Sequence, residues 1–500
     1  MGGRAGERGL RVRRHAPLAP LSLYSSLPHL DFLSPAPSPP PYPPPQAKAE
    51  ANRAAKDIGA ARKRGEDTTA AQASVKALKD KVIDLGKSAD EAGARRDSLL
   101  SRVGNLIPDA CPVAQSEDDN VVVRTWGEPR DKVRAPYNHV DLVHMLGIVD
   151  LEAGAAVAGG RGYYLMDEGV LLNQAGRGVV RSSEIVSVRP SLIVHPSLFV
   201  HPFRSIPTIP SLRSAAPPRQ AIIQLALSTL VKKGHRPVHT PFFMTKSMMA
   251  RCAQLAQFDE ELYHVTGEGE DKYLIATSEQ TLCAMHAGKW FHESELPLKQ
   301  AGYSTCFRKE VGSHGRDTLG IFRVHQFEKV EQFVVCCPED SDDILQQLVR
   351  NAEEFYEALE VPYRVVHMVS GALNDAAAQK YDLEAWFPGG QAYRELVSAS
   401  NCTDYQSRSL DLRLRTPDVK GQDKVKAHPH LLNATLCATE RALCCLLETH
   451  QDADGVIVPA ALRPFMGGIE RIDFKRRKVG EGKFEDLPRG GELGENGGGD

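Results

Sequence analysis

Between Gly302 and Phe333 the chain reads GYSTCFRKEVGSHGRDTLGIFRVHQFEKVEQF, two runs in which charged and apolar residues alternate, joined by a glycine-broken charged loop. Alternation of this kind places one set of side chains on one face of a sheet, so the segment is expected to be two strands and a connecting loop. A face carrying Arg308, Lys309 and Glu310 on one strand and Glu328, Lys329 and Glu331 on the other cannot be ordinary core. Charges held against Phe307, Phe327 and Val330 need a charged ligand to compensate them. A guanidinium such as Arg308 offers a planar fork suited to phosphate or carboxylate.

Three further stretches bring chemistry-bearing residues. Thr277–Gln280 (TSEQ) sets two hydroxyls and a carboxylate on one short segment, a pattern that by itself most often caps a helix. Glu395 and Ser398 in ELVSASNC offer hard oxygens but read locally as ordinary strand residues, and Arg441 in NATLCATERALCCLLE reads as a mid-helix arginine. The spacing of these segments around the charged hairpin resembles the motifs of class II aminoacyl-tRNA synthetases. TSEQ and ELVSASNCTDYQSR narrow the resemblance to seryl-tRNA synthetases of the eukaryotic cytosolic type, over Val121–Gly176 and Ile222–Lys475, with a weaker match from Ala47 to Pro108.

The resemblance implies an α+β fold, a class II antiparallel sheet with flanking helices, preceded by an antiparallel coiled-coil arm. It implies a serine–tRNA ligase using ATP with Mg2+, charging tRNA(Ser) and leaving tRNA(Sec) open, in the cytoplasm; the alternative is a catalytically silent paralogue acting as a binding or regulatory module. By position, Arg308 and Arg441 are the catalytic cations. ATP is expected to meet Arg308, Lys309, Glu310, Val324, His325, Gln326, Phe327, Glu395, Leu396, Val397, Ser398 and Arg441. Phe327 would stack on adenine, Glu310 would read its amino group, and Arg441 would close on the γ-phosphate. Serine is expected to meet Thr277, Ser278, Glu279, Arg308, Glu331 and Asn433, and Mg2+ to meet Glu395 and Ser398. Motif 1, GHRPVHTPFFM with Pro241, implies a homodimer.

Composition sets the frame for these assignments. With 500 residues, 42% hydrophobic and 25% charged, the chain can bury one large core and carry a second module. A net charge of -3 excludes a uniformly basic nucleic-acid binder, so any RNA contact must come from a local patch. Ten cysteines without CxxC spacing suit neither a zinc site nor a disulfide framework. No apolar run reaches membrane-spanning length, so no membrane partner is expected.

Along the chain, residues 1–46 are arginine- and proline-rich and are expected to be disordered, with an organellar presequence as the other reading. Residues 47–107 are expected to form the arm: Ala47, Ala51, Ala54, Ile58 and Ala61, then Val75, Leu78, Val82, Leu85, Ala89, Ala92, Leu99, Val103 and Leu106, step at heptad spacing with Arg96 as a break. Its first helix is short, which leaves about half of the second without a partner. Cations from Arg53 to Arg102 would lie along the tRNA. Residues 108–150 are expected to be a linker and 151–475 the catalytic domain. That domain is interrupted at 176–220 by a segment whose prolines, from Pro190 to Pro218, argue against a buried helix, and which reads as a looped-out insertion or as translated non-coding sequence. Residues 476–500, glycine- and charge-rich, are expected to be a disordered tail.

Overall fold

The computed structural model describes residues 45–65, 67–100, 103–173, 221–252, 261–267, 269–311, 319–415 and 427–488. The expectations for 1–44, for the insertion beyond residue 173 and for 489–500 lie outside the described residues. The chain divides into two units, 1–103 and 104–500.

In the first unit, α1 (Pro45–Lys63) and α2 (Thr69–Leu100) form a helical hairpin. Ala54, Ile58 and Ala61 of α1 are half-buried, Val75 is buried, and Leu78, Val82 and Leu85 are half-buried, as the heptad predicts. The 19 residues of α1 fall well short of the 32 of α2. At about 1.5 Å per residue this difference is roughly 20 Å of helix. Leu99, beyond the reach of α1, is 54% exposed.

The second unit is built on an eight-stranded sheet. Its strands in chain order are β1 (Val121–Trp126), β2 (Arg236–His239), β3 (Leu298–Phe307), β4 (Gln326–Cys336), β5 (Tyr363–His367), β6 (Gln379–Phe387), β7 (Ala392–Asn401) and β8 (His430–Ala438). They lie side by side as β1-β5-β6-β7-β8-β4-β3-β2, antiparallel throughout except where β2 runs parallel to β3. The expected strands at 302–333 are β3 and β4, beside the edge strand β2; β3 ends at Phe307, so Arg308, Lys309 and Glu310 lie on the loop beyond it, and Glu328 turns to the helix-covered face, where Asn173 bonds it, because adjacent residues of a strand point opposite ways.

Alternation along the strands gives the sheet two unlike faces. One carries Val330 and Val334 of β4, Leu432, Ala434 and Leu436 of β8, Val397 and Ala399 of β7, and Leu383 and Ala385 of β6. This face is covered by α3 (His139–Leu146), α4 (Asp167–Asn173), α5 (Ala221–Lys232), α7 (Ser341–Ala358) and α8 (Thr439–His450), and it forms the main core. On the other face, Phe333, Val335 and Leu431 pack with Leu282 and Cys283 of α6 (Ser278–Ala284) into a second apolar cluster. The rest of that face is charged, and it carries the site.

Two boundaries differ from the sequence reading. Residues 108–150 are not a linker: β1 pairs with β5 as the edge strand, and α3 buries Leu142, Val143 and Leu146 in the main core. Alternation in VVVRTW was concealed because all six residues are exposed on an edge. Residues 476–486 are not a disordered tail. They form a hairpin, β9 (Arg476–Gly480) and β10 (Lys483–Asp486), in which Lys478 Nζ lies 2.7 Å from Asp141 and Phe484 stacks on His144 at 5.0 Å. Its composition signalled disorder because the hairpin gains order from α3 and has little core of its own.

Where α5 ends, His235 is 3% exposed with neither ring nitrogen partnered. Burial, with Lys299 adding to it, depresses its pKa to about 4. Between the ordinary value of 6.5 and about 4 the unfolded chain therefore takes a proton that the folded chain refuses, and stability falls as pH falls through that window. His235→Phe is expected to flatten the dependence of the urea-unfolding free energy on pH there, by up to about 1.4 kcal/mol per pH unit. An unchanged slope would place the acid sensitivity elsewhere.

Candidate active site

The hairpin is closed by a backbone bond from the Arg308 N–H to the His325 carbonyl at 3.0 Å, and the His325 Nδ1 lies 3.0 Å from the Arg308 carbonyl. This fixes Arg308 at the mouth of the sheet's charged face. Its guanidinium lies over the Phe327 ring, 5.3 Å from the centroid, and its Nε donates to the Ala276 carbonyl at 3.4 Å. Glu310, two residues on, sits at a φ of +52°, a backbone conformation that costs a non-glycine residue about 1 kcal/mol. Its carboxylate lies 3.3 Å from Arg323 Nη1, so a strained backbone and an ion pair together aim the side chain.

Arg441 comes to the same place from the first turn of α8. Its Nη1 donates to the Glu395 carbonyl at 3.2 Å and lies 3.8 Å from the Glu395 carboxylate, while the guanidinium lies 5.1 Å from the Phe322 centroid. Arg308, Glu310, Val324, Phe327, Glu395, Leu396 and Arg441 line one cavity with Phe322, Arg323, Lys329, Thr435, Ala438 and Glu440.

A bulge decides where Glu395 points. Residues three apart in a regular strand face opposite ways, but the register between β6 and β7 shifts, pairing Glu384 with Glu395 and Leu383 with Val397 so that Leu396 is extra. Glu395 and Ser398, which pairs with Asp382, therefore share the charged face. Burial works to raise the Glu395 pKa, but Arg441, Lys380, Arg308 and Lys329 outweigh it and hold the carboxyl below its ordinary range. Asp382, beside them, is pushed up by burial and by Glu395, and its Oδ1 is buried without a hydrogen-bond partner.

Deeper on the same face, Thr277 caps α6 by accepting from the Glu279 N–H at 3.2 Å, so TSEQ is a helix cap as well as a polar cluster. The Thr277 hydroxyl lies 3.5 Å from Glu331 Oε2, and Glu279 accepts from Gln406 Nε2 at 2.8 Å. Burial raises the Glu279 pKa. Ser278 is fully buried against Gly302, where a Cβ would fall 2.8 Å from its hydroxyl and 2.7 Å from Leu282, so a glycine there lets α6 approach β3. Asn433 faces the same side, its Nδ2 donating toward Cys402 Sγ at 3.6 Å. Glu331 is 2.5 Å from Lys329 Nζ, and this buried pair joins the Arg308 cavity to the Thr277 cluster.

Not every expected residue lines that cavity. His325 and Gln326 face a neighbouring one shared with Tyr163, Asn173 and Glu328, and the Val397 side chain lies in the main core. Lys309 borders neither cavity; its backbone N–H donates to the Glu261 carbonyl at 3.0 Å. Arg323, Thr435 and Lys380 were not singled out, and Lys329, part of the charged pattern, was given no site role. Period-2 spacing from Phe327 through Lys329 to Glu331 could have assigned Lys329 one, whereas Thr435 and Lys380 depend on pairing across strands and Arg323 on the loop before β4, where it meets Glu310. Among the described residues no group of three or more His, Cys, Asp or Glu has metal-binding geometry.

An antiparallel sheet flanked by helices, with an arginine from the β3–β4 hairpin and another from the helix after β8 converging on one cavity, is the catalytic core of a class II aminoacyl-tRNA synthetase. The model of the tRNA synthetase class II core domain (G, H, P, S and T) matches residues 263–450. The chain is 50% identical to the serine–tRNA ligase of Helianthus annuus over 428 residues, 85% of this chain and 86% of that one. Among solved structures it resembles the cytoplasmic serine–tRNA ligase of Naegleria fowleri in complex with AMP (43% identity, TM-score 0.67) and the seryl-tRNA synthetase of Pyrococcus horikoshii complexed with ATP (34% identity, TM-score 0.68), each likeness covering 86% of this chain and 89% of the other. The chain belongs to the seryl-tRNA synthetase family. Nothing in these likenesses supports the silent-paralogue alternative.

Proposed function

We infer that the chain is a cytoplasmic serine–tRNA ligase, which activates serine with ATP to seryl-adenylate and transfers the seryl group to tRNA. The convergence of Arg308 and Arg441 on one cavity, next to the buried Thr277–Glu331 cluster, carries this reading. The serine carboxylate attacks the α-phosphorus in line, and pyrophosphate leaves. No protein nucleophile is needed, so the chain's work is alignment and charge stabilisation. Arg308 neutralises charge growing at the α-phosphate, Arg441 holds the γ-phosphate, and Phe327 stacks on adenine. Glu279 and Glu331 meet the serine ammonium and hydroxyl. A pocket with those carboxylates and Asn433 disfavours alanine, which leaves buried polar groups unpaired.

Glu395 and Ser398 fit Mg2+: both are hard oxygen donors on one face, with the unpartnered Asp382 oxygen beside them. Two protein ligands are few, as suits an ion that arrives with ATP phosphates and keeps several waters. Bound there, it would neutralise phosphate charge and orient the leaving pyrophosphate.

Motif 1 we assign to a homodimer contact. In support, β2 is the sheet's last strand, and Val231 and Phe243 flanking it are exposed. The arm we assign to tRNA(Ser), since Arg62, Lys63, Lys76 and Lys79 are exposed near the turn between α1 and α2. Serine-dependent ATP–pyrophosphate exchange tests the central reading, and its absence would overturn it. With those four cations reversed to Glu, exchange is expected to stay intact while serylation of tRNA at physiological salt falls at least ~10-fold and its salt dependence flattens. Equal loss of both activities would make the arm structural.

A further inference from the structure

At the buried wall of the Arg308–Arg441 cavity, Glu440 holds together three segments that are distant in sequence. It is 2% exposed and immediately precedes Arg441. Its Oε1 lies 2.7 Å from the Tyr163 hydroxyl and 3.5 Å from Asn173 Nδ2. Its Oε2 accepts from the Thr439 hydroxyl at 2.8 Å and from the Glu328 N–H at 3.3 Å. The Tyr163 hydroxyl is also 3.4 Å from the Gln326 carbonyl.

These contacts bracket Phe327. The peptide group after it is held by Glu440 through the Glu328 N–H, and the carbonyl before it is approached by Tyr163, which is itself bonded to Glu440. The phenylalanine ring projects to the opposite face, over which Arg308 lies. One side chain thus fixes the strand beneath the ring and, through its own backbone, the start of the helix that presents Arg441. Hydrogen bonds of this kind in a dry setting are stiff, since losing one partner strands the other.

We propose that Glu440 is a positioning residue for ATP, setting the separation between the Phe327 ring and the Arg441 guanidinium, with Tyr163 as its anchor in the segment before α4. Neither side chain need touch the nucleotide. The proposal rests on the assignment of this cavity to ATP. Two carboxylates, Glu440 and Glu328, share the Asn173 amide in this cluster. Burial, followed by Glu328, pushes the Glu440 pKa up to about 8, and the Tyr163 hydroxyl and Asn173 amide satisfy the pair whether or not it holds a proton.

Serine-dependent exchange in the full chain, with ATP and serine varied separately, tests this. Glu440→Ala is expected to raise the KM for ATP about 10-fold, the equivalent of one buried hydrogen bond, and to leave the KM for serine within about twofold. Glu440→Gln, which keeps an acceptor for the Glu328 N–H, should recover most of that loss. Tyr163→Phe removes only a hydroxyl and should raise the ATP KM roughly threefold, which keeps the test sound if the alanine variant does not fold. An unchanged ATP KM in Tyr163→Phe and Glu440→Ala, or equal rises for ATP and serine that Gln does not repair, would overturn the positioning role. Exchange absent from the unaltered chain would instead defeat the ligase reading on which the proposal stands.

Discussion

Arg308→Ala is expected to slow serine-dependent pyrophosphate exchange by at least ~100-fold, the range for loss of one oriented donor at a site of growing charge. The size follows from how Arg308 is held. Its backbone closes the hairpin, its Nε is tied to the Ala276 carbonyl, and its guanidinium rests on Phe327, so little reorganisation is needed when charge develops on the phosphate. Lysine at this position keeps the charge but not the planar fork, and it should recover only a small part of the rate. The measurement is single-turnover adenylate formation at saturating ATP and serine, which separates chemistry from binding. Near-normal rates in Arg308→Ala would remove it from the mechanism and leave the phosphate charge to Arg441 and the other cations of the cavity.

The second large effect is expected at Lys329. Its side chain is 7% exposed and that of Glu331 2%, with 2.5 Å between ammonium and carboxylate. Lys329→Met strands a buried carboxylate, which should cost about 3–5 kcal/mol in denaturant unfolding along with nearly all activity. Adding Glu331→Leu to that variant removes the stranded charge. Stability should then return to within about 1 kcal/mol of the parent, because replacing a whole buried ion pair by apolar groups is often neutral. Activity should stay lost. Recovery of stability without activity would show that the pair is kept for the site and not for the fold, whereas a Lys329→Met variant as stable as the parent would mean that water reaches Glu331.

The contrast between those two residues illustrates what could be read in advance. Arg308 was legible because it lies next to a glycine-broken loop in a pattern tied to one chemistry. Lys329 is spaced by two from both Phe327 and Glu331, so strand period alone sets it beside its partner, yet its burial is decided by what the tertiary structure packs onto that face. Segments whose order is lent by neighbours were misread: β1 looks like a linker because all its side chains are exposed, and the hairpin at 476–486 looks like a tail because α3 supplies the surface on which it orders.

By itself the sequence determined the alternating strands, the heptad of the arm, the unequal lengths of its two helices, and the identity of the cations and carboxylates that meet on one sheet face. These follow from local periodicity and side-chain chemistry. Only the tertiary structure decided which of them face each other. Glu395 and Ser398 are three residues apart and in a regular strand would point to opposite sides. The extra residue at Leu396 reverses that parity and sets both beside Asp382, and a second register shift, between Val330 and Glu331, brings Thr435 opposite Glu331. A bulge is a property of two strands in register, so no single strand's sequence contains it.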